Sequence, residues 1–149
     1  MSSVSSIGPL VDRLCARFDD RDEALALLTD LIVFIASADA IIDETERRVL
    51  VESLETMLEA HVAPRIVKVV VDESRLRLRT IGPMAAADTI GRTLASRGAA
   101  EDGIRLAVYV AAISEGISNV ERLWIERMAE AAGVSLGRLH EFMAEPFAC

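Results

Sequence analysis

The chain has 149 residues, 52% of them apolar and only 4% aromatic, with a formal net charge of -8. That charge repels phosphate backbones and the few aromatics offer little to stack on bases, which excludes nucleic acid as a partner. The length suits a single domain, 1–149, with a core that needs no disulfide or metal staple, and few aromatics with much alanine favour closely packed helices over a sandwich or barrel.

In chain order, Pro9 fits the first turn of a helix running to about Phe18. Asp19, Asp20 and Asp22 mark a turn and an acidic helix start, followed by a helix over Glu23–Ala38. Leu25, Leu28, Ile32 and Ile35 make one face of it, which Asp39 continues. Its apolar stretch holds Thr29 and Asp30 and is shorter than the roughly 18 residues a bilayer span requires, so it reads as a buried central helix. The next helix runs from Glu44 to about Ala60, with Leu50, Leu54, Met57 and Leu58 inward.

Residues 64–79 fit either a helix, which the pattern favours, or a β-hairpin, because the run is rich in β-branched residues and alternates in its second half. Gly82 and Pro83 break the pattern; helices follow over Met84–Ser96, Ala99–Ile113, Ser118–Ala132 and Ser135–Ala144, with Gly133 as a stop. The expectation is an all-α fold of about eight helices with short connections.

Cys15 and Cys149 lie near opposite ends without ligand spacing, and reduced thiols are expected in preference to a terminal disulfide. The first residues lack the charged and apolar regions of a signal peptide, so a cytoplasmic protein is expected.

Laid on itself 75 positions apart, LIVFIASADAIIDETERRVL faces LAVYVAAISEGISNVERLWI without a gap. Leu31 faces Leu106, Val33 faces Val108, Phe34 faces Tyr109, Ala36 faces Ala111, Glu46 faces Glu121 and Arg47 faces Arg122. Two related apolar helices thus each lead through a short loop into a second helix. Pseudo-twofold packing of two halves is expected, with the apolar pair at the centre.

The loops carry the candidate chemistry. Asp43-x-x-Glu46 and Ser118-x-x-Glu121 are capping boxes, which account for these four residues without any ligand. Capping does not account for Asp39, an acid at the negative end of the preceding helix dipole. Asp39, Asp43 and Glu46 together could form an oxygen cage for a hard divalent cation, although the EF-hand spacing is absent. A solvated acidic loop that starts a helix is the other reading.

An apolar helix ending in A-D-G-x-h-x-x-x-E, where h is apolar, resembles the tellurite-resistance TerB-like domains, which often carry it twice. Here the copies are Ala38-Asp39-Ala40-Ile41-Ile42-Asp43-Glu44-Thr45-Glu46 and Ile113-Ser114-Glu115-Gly116-Ile117-Ser118-Asn119-Val120-Glu121. The resemblance covers about residues 20–149, leaving 1–19 as an N-terminal helix extension. It implies an all-helical fold and a non-enzymatic role in tellurite or chemical stress. In some members that role lies near a membrane complex, so a place peripheral to the inner membrane and an as yet unidentified protein partner are expected. It also implies divalent-cation sites for calcium, manganese or magnesium, with Asp39, Asp43 and Glu46 as ligands and Glu115 and Glu121 as a weaker second cluster. Ala40 stands for the usual glycine and Ser114 for the second aspartate, so the two sites are not equivalent.

His61 and His140 are single, and no nucleophile elbow, zinc helix or phosphate loop is present, so no catalytic machinery is evident. Ile117, Val120, Trp124, Met128 and Ala131 form a stripe at helical spacing, read as core or else as a groove for a partner helix. Arg65, Lys68, Arg75, Arg77 and Arg79 form a basic strip, read as solvated or as a docking face for an acidic partner or anionic lipid. A monomer or weak dimer is expected, and the alternative to the cation reading is a helical interaction module whose acids only cap helices.

Overall fold

The computed structural model describes residues 7–39, 42–113 and 116–148, with Asp39 described by its main chain alone. Among these residues the helices are α1 (Gly8–Cys15), α2 (Arg21–Ala36), α3 (Glu44–Leu58), α4 (Pro64–Ile81), α5 (Pro83–Ser96), α6 (Ala100–Ala112), α7 (Asn119–Ala132) and α8 (Leu136–Ala144). A 3₁₀ turn, Ser37–Asp39, extends α2, and no described residue lies in a strand.

Local chemistry sets most helix ends. The side chains of Asp20, Asp43, Ser118 and Ser135 accept first-turn N–H groups of α2, α3, α7 and α8. Proline opens α1, α4 and α5, where its missing N–H costs nothing. Gly133 ends α7 in the left-handed region at φ 80°. Gly82, at φ 85° and ψ 160°, joins α4 to α5 in a conformation nearly confined to glycine.

Residues 64–79 are helical, not a hairpin. The β-branched run is carried by packing: α4 buries Val67, Val71 and Ser74, and it lies against α2. Leu50, Leu54 and Met57 are inward as expected, whereas Leu58 is 40% exposed. One step beyond Met57 turns a side chain about 100° around the helix, off the buried face.

The core forms around α2 and α6, which pack on each other. Every residue from Leu31 to Ala36 and from Leu106 to Ala111 is buried, so both helices are apolar all round in their C-terminal turns. α3 and α4 cover α2, α7 and α8 cover α6, and α1 and α5 each reach both central helices. Ile7, Leu10, Val11 and Leu14 belong to the same apolar cluster as α8's Leu139 and Phe142. Burying each such leucine or isoleucine contributes about 1.5–3 kcal/mol. α3 begins at Glu44 and α7 at Asn119, the 75-residue interval of the sequence repeat. Among the described residues no helix is long and apolar enough to cross a membrane.

Candidate functional site

The turn between α2 and α3 is held by reciprocal bonds. The Glu46 N–H donates to Asp43 Oδ1 at 2.8 Å, and the Asp43 N–H donates to Glu46 Oε1 at 3.1 Å. The turn between α6 and α7 repeats this chemistry: the Glu121 N–H donates to Ser118 Oγ at 3.1 Å, and the Ser118 N–H donates to Glu121 Oε1 at 2.9 Å. Glu46 is 4% exposed and Glu121 2%. Burying a carboxylate this deeply is costly, and the accepted N–H and the positive end of the helix that follows help to offset it.

The structure therefore brings Asp43 and Glu46 together, with Asp43 half-buried at the entrance to α3. The main chain of Asp39 closes the 3₁₀ turn just before it, but the Asp39 side chain lies outside the described residues, as do Ser114 and Glu115. Of the proposed second cluster only Glu121 is described. Among the described residues no three His, Cys, Asp or Glu side chains stand close enough to hold a metal ion. Glu44 points away, exposed and 3.8 Å from Arg48.

Several acids serve structure. Asp30 on α2 accepts from Arg77 and Ser74 of α4. Glu55 Oε2 accepts the Val62 N–H at 2.9 Å and lies 3.0 Å from His61 Nδ1. His61 thus has an acid neighbour that the spacing of six did not suggest, because the chain folds back after α3. His140 is exposed on α8. Cys15 is a free, half-buried thiol whose pKa is pushed up mainly by burial and further by Asp12, while Cys149 lies outside the described residues.

The stripe on α7 is divided. Met128 is fully buried, Ile117 and Trp124 pack against the core's edge, and Val120 is 45% exposed. The buried face of α7 runs instead through Glu121, Ile125, Met128, Ala129 and Ala132. Of the basic strip, Arg65, Lys68, Arg77 and Arg79 are exposed and Arg75 is half-buried.

Comparison with protein-family models, with curated proteins and with solved structures finds no match to this chain.

Proposed function

We propose that the chain is a non-enzymatic protein of the TerB-like kind, built from two pseudo-symmetric halves, that takes a divalent cation at the α2–α3 turn. Its role on this reading is in a tellurite or chemical-stress response, through a protein partner at a membrane-associated complex. The observation that carries the reading is the fixed pairing of Asp43 and Glu46 at the turn that the Asp39 main chain enters. The donors are all oxygen, which suits hard cations such as calcium, manganese or magnesium. Asp39 is the third carboxylate of the proposed set, and the cation would relieve its unfavourable position after α2. Glu121, with Glu115, would be the poorer counterpart, since Ser118 brings no charge.

Calorimetric titration with Ca²⁺ and then Mn²⁺ tests this. A single saturable site supports the reading, and no heat at millimolar ion contradicts it.

A second reading, an interaction module without a metal, is favoured by the outer face of α4, where Ile66, Val69 and Leu76 are 46%, 53% and 63% exposed. Apolar side chains at this spacing among basic residues suit an acidic partner surface. Changing Ile66, Val69 and Leu76 to serine would abolish partner capture on this reading and leave cation binding unchanged.

A further inference from the structure

Ser37 lies in the wall of a cavity of about 300 Å³ between α2, α4, α5 and α7. One side of the cavity is aromatic: Phe34 and Trp124 stack with centroids 4.6 Å apart and planes at 10°. Leu78 and Pro83 extend the apolar lining, and Arg75 and Arg79 add two positive charges. Arg79 forms no ion pair among the described residues. Pro83 opens α5, whose first turn no side chain caps, so the positive end of that helix adds to the same field.

An apolar aromatic wall, an uncompensated guanidinium and an uncapped helix start together define a ligand. It has a flat apolar body and one negative charge. The volume lies at the lower end of small-molecule sites, which suits a one-ring acid rather than a long-chain lipid. We propose that this cavity binds a small aromatic carboxylate. Its ring lies on the Phe34–Trp124 wall, and its carboxylate faces Arg79 and the start of α5. A carboxylate held by a guanidinium is among the stronger charge-assisted pairs. The inference goes beyond the cation reading and does not depend on it, because the ligating groups are different residues.

Trp124 is the only tryptophan of the chain, so its fluorescence reports this cavity alone. Phenylpropanoate and the uncharged phenylpropanamide are titrated into the full chain, in chelator and again with Ca²⁺. The expected result is a saturable change with the acid, a response at least about tenfold weaker with the amide, and the same curves with and without Ca²⁺. Arg79→Gln, an exposed change whose fold is checked by circular dichroism, should weaken the acid about tenfold and leave the amide unchanged. The inference is overturned if the acid gives no saturable change, if acid and amide respond alike, or if Arg79→Gln binds the acid as tightly as wild type.

Discussion

Asp30 and Arg77 tie α2 to α4: Arg77 Nη2 donates to Asp30 Oδ1 at 2.7 Å, and Ser74 Oγ donates to the same oxygen at 2.6 Å. The two donors differ in what they lose if the acid goes. Arg77 is half in solvent, whereas Ser74 is fully buried. Arg77→Gln should therefore cost no more than about 1 kcal/mol, while Asp30→Ala strands the Ser74 hydroxyl and should cost about 1–3 kcal/mol. Urea melts of both variants check this, and equal losses would show that the ion pair, not the buried hydroxyl, carries the contact. By the same reasoning, replacing Arg75, Arg77 and Arg79 together by glutamine should not produce a loss of several kcal/mol.

α5 and α7 approach each other closely at Gly91. A Cβ there would run into the Met128 carbonyl oxygen and sit 2.7 Å from the Ala131 Cβ, both fixed by α7. Gly91→Ala should gain in helix propensity by nearly 1 kcal/mol yet lose more to overpacking, for a net loss of about 1–2 kcal/mol. A rise in melting temperature would mean that the two helices separate freely. Gly103 is a useful contrast, because the atoms nearest to a Cβ there belong to the Leu94 side chain and not to backbone.

Two carboxylates should contribute to acid sensitivity. Hydrogen bonds from Arg127 hold Asp88 below its ordinary 3.8, and hydrogen bonds from Arg138 hold Glu101 below its ordinary 4.5. A depressed folded-state pKa means stability that is complete above the ordinary value and lost as pH falls through the folded one. Wild type should lose melting temperature below about pH 4.5, and the double variant Asp88→Asn, Glu101→Gln should lose less over the same interval. Thermal melts from about pH 6 to about pH 3 read the slopes, and parallel curves would assign acid sensitivity to other groups.

The capping boxes predict matched losses. In chelator, Asp43→Ala and Ser118→Ala should each cost about 1 kcal/mol, because each removes the acceptor of one first-turn N–H. Calorimetric melts measure both, and a loss near zero for either would mean that solvent caps that helix as well as the side chain does.

What was legible in the sequence followed from local rules. The caps at Asp20, Asp43, Ser118 and Ser135, the prolines and Gly133 set helix ends that short-range chemistry alone decides. The apolar run of α2 announced a central helix, and the repeat paired it with α6, on which it packs. Less legible was whatever depends on the angle between helices. The stripe through Val120 and Trp124 has helical spacing, but the inward face of α7 lies about 100° to one side, through Glu121 and Ile125. The Phe34–Trp124 stack joins residues 90 positions apart and has no local signal. The His61–Glu55 contact depends on the path of the chain after α3, which a single helix pattern does not contain.

The central claim, a cation at the α2–α3 turn, is tested most directly by melting wild type and Asp39→Asn side by side, in chelator and in excess Ca²⁺, and then in Mn²⁺. Asparagine keeps the shape and removes one charge near the end of α2, so in chelator the variant should match wild type or slightly exceed it. With Ca²⁺ at a hundredfold excess over its dissociation constant, wild type should gain about 2.7 kcal/mol and the variant far less. Equal shifts for the two proteins with either ion would contradict the account and leave the acids of this turn with capping alone.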